Sequence, residues 1–241
     1  MADVMLRLNS SGSWGENVQL AYRASPSSSY VSVSGFAGAL DFTYVSGTHL
    51  TDPAGAAAGF NPDHFLTFCT DAGAELQWGN SYNYTPQLFA GQDGVSPSWK
   101  MDGIYAAAWL FNQELGGVKT AAQAAGLQMA IWEELYDFGS TSLSGGNLKI
   151  TSASSGALSA ANGFLADVNA RSLAELEAYD STWLHPNPEA QHGNLVQGLL
   201  YGDTTPLTPS LEPTVPDGGT TLFLLSLAIL GLGSLRRFAR F

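Results

Sequence analysis

Charge is scarce in this chain, and positive charge is scarcest. Only 12% of the 241 residues are Asp, Glu, Lys or Arg, about half the usual share of a globular protein. Over residues 1–203, nineteen acids face six bases. A body so poor in lysine and arginine is excluded as a nucleic-acid binder, because holding phosphates needs clustered cations. Cysteine occurs once, at Cys69, so no internal disulfide can form and the lone thiol needs an explanation. The four histidines, His49, His64, His185 and His192, have no zinc-type spacing; neither a metal site nor a cofactor is expected, and each histidine reads as a surface or loop residue. The glycine-rich stretch 139–146 lacks the Lys-Ser/Thr of a phosphate loop. No spacing of nucleophile and base marks an enzyme. The first residues, MADVMLRLNSSGSWGENVQ, carry no basic segment followed by an apolar run, so a processed or truncated start close to Ala2 is expected if the protein is exported.

What the chain does have is one apolar rod near its end. Thr220–Leu235 is sixteen residues without a charge. As a helix it spans roughly 24 Å at ~1.5 Å per residue. That falls short of a ~30 Å hydrocarbon core by an amount that bilayer thinning and snorkelling arginines can close. Arg236, Arg237 and Arg240 follow at once, and positive flanks stay cytoplasmic, which puts the body outside. Ahead of the rod stands Val215-Pro216-Asp217-Gly218-Gly219, a helix-breaking turn. Four prolines between Thr204 and Pro216 read as an extended linker.

Turn, rod and basic plug, in that order at the chain end, resemble the C-terminal sorting signal of exosortase substrates, the PEP-CTERM type. VPDGG is similar to its VPDSG variant, with Gly218 in place of Ser. The resemblance implies an exosortase-type processing enzyme as partner and export to the bacterial cell envelope. It also implies anchoring in the inner membrane before cleavage, then the cell surface or secretion. An ordinary C-terminal anchor is the alternative, and it too puts a helix in the membrane. The expected organisation is a domain over 1–203, a linker with the motif over 204–219, a transmembrane helix over 220–235 and a basic cytoplasmic tail over 236–241.

In the body, Glu16–Ala24 alternates weakly as a strand, and residues 30–38 and 39–47 read as two further strands with glycine-rich turns. Asp63–Asp71 reads as a short aromatic strand, and residues 80–90 as another strand or an irregular loop. Helical periodicity then sets in. Met101–Leu115 places Ile104, Ala108 and Phe111 on one face, and Thr120–Gly139 carries a cap at one end and a glycine stop at the other. A third helix is expected over Ser155–Ala170, and two closing strands near 181–188 and 193–203. Glu133, Glu134 and Asp137 read as a solvated acidic helix end. The fold class is α+β: a β-rich domain, sandwich or barrel-like, with a helical middle, plus the C-terminal transmembrane helix.

Gln128 falls on the stripe Ala124, Gln128, Ile131, Leu135, otherwise apolar. A buried carboxamide left unpaired costs about 1–3 kcal/mol, so something specific should face it. The lone Cys69 is one candidate. A thiolate attacking that carboxamide, with loss of ammonia, gives an internal thioester, which needs a shield from water such as Phe68, Ile131 and Trp132 could provide. Phe68-Cys69-Thr70-Asp71 and Leu127-Gln128-Met129-Ala130-Ile131-Trp132 resemble the paired motifs of the thioester domains of bacterial surface adhesins. Phe68 and Cys69 match the first motif; Leu127, Gln128, Ala130, Ile131 and Trp132 match the second. Thr70 stands where a hydrophobic residue is commoner, and Met129 where a polar one is. The resemblance implies an electrophilic trap that links Gln128 Cδ to a surface amine of a partner. Read without it, the same residues are two packed helices, a plain buried thiol and a glutamine bonded to backbone. That reading leaves a non-reactive structural protein of an exopolysaccharide or biofilm matrix, with matrix polysaccharide as its partner.

Overall fold

A computed structural model of the protein describes residues 3–9, 13–47, 64–74, 76–92, 100–187 and 197–201. The chain divides into two units, 1–207 and 208–241, and every described residue belongs to the first. The proline-rich linker, the Val215–Gly219 turn, the expected membrane helix 220–235 and the basic tail lie outside the described residues, as do His49, His192 and Trp99. Among the described residues no helix is long and apolar enough to cross a membrane.

Eight strands form the sheet: β1 (Val4–Leu8), β2 (Trp14–Tyr22), β3 (Val31–Gly47), β4 (His64–Cys69), β5 (Ser81–Leu88), β6 (Leu148–Ser152), β7 (Thr182–Pro186) and β8 (Leu199–Tyr201). Their order is β1-β5-β7-β8-β4-β3-β2-β6, with a further pairing of β1 to β3. That extra pairing closes six strands, β1, β5, β7, β8, β4 and β3, into an antiparallel ring, while β2 and β6 extend outward from β3. Closure removes the free edges that an open sheet would expose. β1 shows the simplest reason for its fold: Val4, Leu6 and Leu8 are buried and alternate with Met5 and Arg7.

Residues 30–47 do not make two strands with turns between them. They form one 17-residue strand that serves two sheets. Val31–Ala39 pairs with β2, and Leu40–Gly47 pairs with β4 and β1. The glycines suggested turns because glycine usually marks them; here Gly38, at φ +150°, lies opposite Gly15 so that the two backbones can approach. A Cβ on Gly38 would run into the carbonyl oxygen of Trp14.

The described α-helices are α1 (Met101–Glu114), α2 (Ala121–Asp137), α3 (Ser155–Asn169) and α4 (Leu173–Leu176). The Thr120 hydroxyl accepts the Gln123 N–H at 3.1 Å and caps α2. Gly139, at φ +76°, turns the chain out beyond its end. α2 packs against α1, α3, β2 and β3, so its residues 124–136 are buried on every side rather than along one stripe. Two glycines permit that crowding. A side chain on Gly103 of α1 would strike the Glu134 carbonyl, and one on Gly126 would strike Ala160 and Ala161 of α3.

The burial of α2 corrects the expectation of a solvated acidic end. Glu133 and Glu134 are both inside. Glu134 accepts from Gly139 N–H at 3.1 Å and from Asn169 Nδ2 at 3.5 Å. Glu133 has no hydrogen-bond partner at normal distance and angle. Asp137 reaches ten and eleven residues onward, where its Oδ2 accepts Asn147 N–H at 2.6 Å and Leu148 N–H at 2.8 Å and so fixes the start of β6. His185 is likewise no loop residue: it sits on β7, its ring 4.6 Å from that of Trp183.

Candidate functional site

Cys69 is the last residue of β4, and Gln128 lies midway along α2. The structure brings them together. Cys69 N–H donates to Gln128 Oε1 at 2.8 Å, and Gln128 Nε2 donates to the Cys69 carbonyl at 2.7 Å. The reason lies in the strand register. Thr70 N–H faces β8, where it bonds to the Gly198 carbonyl at 2.9 Å. The polar groups of its neighbour Cys69 therefore face the opposite edge, toward β3. There the ladder with β4 ends at Leu40↔Thr67, and Gly38 is already paired with Gly15. The Gln128 carboxamide, an amide like the peptide it replaces, supplies the missing rung.

The thiol has a different partner. Cys69 Sγ donates to Gln197 Oε1 at 2.6 Å, so sulfur and oxygen are pressed closely together. Gln197 Nε2 donates to the Asp71 carbonyl at 2.9 Å. The Asp71 carboxylate accepts Gly198 N–H at 2.9 Å and the Thr70 hydroxyl at 3.4 Å, and Trp183 Nε1 donates to that hydroxyl at 3.2 Å. Gln197 was not identified from the sequence. The signal was there, because a single carboxamide interrupts the apolar run Leu195-Val196-Gln197-Gly198-Leu199-Leu200 much as Gln128 interrupts the stripe on α2.

Electrostatics hold the site in its neutral form. Burial first, and then the charge of Asp71, pushes the Cys69 thiol well above its ordinary pKa. Desolvation raises Asp71 too, opposed by its bonds from Gly198 and Thr70. Tyr84, on β5, is fully buried with its hydroxyl unpartnered, and its pKa is pushed up by burial and then by the Cys69 charge. Each would-be shielding residue is inside: Phe68, Leu127, Ala130, Ile131 and Trp132. Phe68 meets Phe111 of α1 edge-to-face at 5.9 Å. Asp71 serves as an acceptor beside the thiol rather than as a shield.

A cavity of about 260 Å³ opens beside the sulfur. Cys69, Gln197 and Trp132 line it, as do Val18 of β2 and the aromatic pair Phe36 and Trp78, whose rings meet edge-to-face at 5.4 Å. Gln128 does not line it. Among the described residues no group of three or more His, Cys, Asp or Glu could hold a metal ion. Chemically, the site offers a buried thiol, two carboxamides within its immediate surroundings and a cavity alongside.

Residues 214–237 match the family described as the VPDSG-CTERM motif. That match supports a C-terminal sorting signal of the exosortase-processed kind, with an exosortase-type enzyme as partner, and it suggests export to the envelope or cell surface. No curated protein and no solved structure matches the chain.

Proposed function

We propose that the protein is an exported envelope adhesin, delivered through its C-terminal sorting signal, whose body carries a thioester between Cys69 and Gln128. In this reading the rod 220–235 holds the precursor in the inner membrane, with the arginines on the cytoplasmic side, until cleavage near Val215–Gly219. The body then acts as a single-use trap rather than a turnover catalyst. Sγ bonds to Gln128 Cδ, the Cδ–Nε2 bond breaks, and the thiol proton leaves with the nitrogen as ammonia. A primary amine on a target surface later displaces the sulfur, giving an amide and restoring the thiol.

The observation that carries the reading is the two-point seating of the Gln128 carboxamide on the Cys69 main chain, with both residues buried. Cys69 N–H already points at Gln128 Oε1, where negative charge would gather during acyl transfer, as an oxyanion donor should. A second reading is favoured by two contacts: Gln128 bonds to the Cys69 main chain, as a plain buried glutamine would, and the Sγ–H bond to Gln197 suits a permanently free thiol in a non-reactive protein of the exopolysaccharide or biofilm matrix. Intact mass of freshly purified protein separates the two. The thioester lowers the mass by one ammonia, and methylamine then adds whole, leaving the chain one methylene heavier than the unmodified protein; an unshifted mass removes the covalent reading. Deleting 215–219 should leave the precursor uncleaved in the membrane fraction of an exosortase-bearing host, and normal processing of that deletion would count against the sorting role.

A further inference from the structure

The cavity beside Cys69 has a lining that suits a particular visitor. Among the described residues its walls carry aliphatic and aromatic side chains beside the polar Asn17, Ser34 and Gln197, and no Asp, Glu, Lys, Arg or His. A charged group entering it would shed water without gaining a counter-charge. Cys69 and Gln197 line the cavity and Gln128 does not, so whatever reaches the acyl group comes from the Cys69 side, past Gln197.

Gln197 is held in place for that passage. Its Nε2 is bonded to the Asp71 carbonyl, and the next residue, Gly198, is bonded to the Asp71 carboxylate and to Thr70. Its Oε1 rests against the sulfur. With a free thiol, that oxygen accepts the S–H. In the thioester there is no S–H, and the same fixed oxygen stands without a donor at the mouth of the acyl site.

We propose that Gln197 is the positioning residue for the attacking nucleophile: its Oε1 takes an N–H of a slender, uncharged primary amine in the cavity and aims the lone pair at Gln128 Cδ. The assignment rests on the thioester reading above and adds to it the route and the residue that orients the attack. The amine nitrogen bonds to Cδ, the Cδ–Sγ bond breaks, and the sulfur leaves with the bonding pair and takes up the proton the amine gives up. The new S–H then finds Gln197 Oε1, as in the present structure.

The test uses the whole protein and follows adduct formation by intact mass, with methylamine and with 2-mercaptoethanol as nucleophiles. The thiol enters uncharged, and its S–H is a weak donor, so it gains little from an acceptor. Gln197→Leu should slow the methylamine reaction about two- to tenfold, the worth of one hydrogen bond, and leave the thiol reaction nearly unchanged. Ala74→Trp, on the cavity wall, should slow both nucleophiles. Equal slowing of both by Gln197→Leu would reduce Gln197 to a structural role, and a bond mapped by tandem mass spectrometry from Cys69 to Gln197 would overturn the assignment outright. If the parent shows no mass deficit, the thioester reading falls and the Gln197 role with it. The route is then judged alone, on iodoacetamide alkylation of Cys69: slowing by Ala74→Trp upholds it, and an unchanged rate ends it.

Discussion

Glu133→Gln should reverse the sign of its effect on stability between pH 5 and pH 9. Glu133 lies buried on α2, and neither oxygen has a hydrogen-bond partner at normal distance and angle. Desolvation chiefly, with the nearby Asp137 and Glu134 adding to it and the Ser140 hydroxyl opposing it, raises its pKa from 4.5 to about 8. In the unfolded chain the acid loses its proton near 4.5, while in the folded chain it keeps it to about 8. Between those values the folded state binds more protons, so stability falls as pH rises. At ~1.4 kcal/mol per pH unit the loss reaches roughly 5 kcal/mol above pH 8, an upper bound. Glutamine cannot ionise, but its unpartnered amide costs about 1–3 kcal/mol at every pH. The variant should therefore be slightly weaker than the parent at pH 5, equal to it near pH ~6, and stronger by about 2–4 kcal/mol at pH 9. In a body of this size that gain raises Tm by on the order of 10 °C. Urea unfolding followed by tryptophan fluorescence at pH 5, 7 and 9 reads the effect directly. A variant whose stability tracks the parent at a constant offset across that range would show that Glu133 does not carry the linkage, and the argument from its isolation would fail. Glu134, raised to about 7 chiefly by desolvation, adds a smaller slope of the same sign that survives in the variant.

Three other substitutions test the packing. Gln128→Ala leaves both polar groups of Cys69 unpaired in the core and should lower unfolding free energy by about 2–5 kcal/mol in denaturant titration. Gly103→Ala forces α1 off the Glu134 carbonyl and should cost about 1–3 kcal/mol with no change in helix content by circular dichroism. Thr120→Ala removes the α2 cap and should cost about 1 kcal/mol, visible as a small drop in Tm; a neutral result would mean that packing alone holds the first turn.

The helices were the most legible part of the chain. Thr120 and Gly139 bracket α2 as capping rules require, and α1 and α3 end within a residue of where periodicity places them. Strands β2 and β4 were readable from alternation and aromatic content. β1 is five residues long and was not distinguished from its polar surroundings, and β6 depends on its ladder with β2, far away in sequence, and on Asp137. The long β3 was misread because one glycine can mean a turn or a close strand pair, and only the partner strand decides. Glu133 and Glu134 were misread because polarity in a single sequence says nothing of what covers a helix from behind. At the site, Cys69 and Gln128 stood out by chemistry; their contact depends on where β3 leaves β4, which no local pattern encodes.

That seam has a consequence for the proposed trap. The nitrogen that thioester closure would expel is the one that now satisfies the Cys69 carbonyl, so the proposed armed state would keep a vacancy in the ladder. A captured primary amine returns an N–H to that spot; a hydroxyl or a water molecule brings back only oxygen. The strand edge itself would thus favour amide over ester, and mend as it catches.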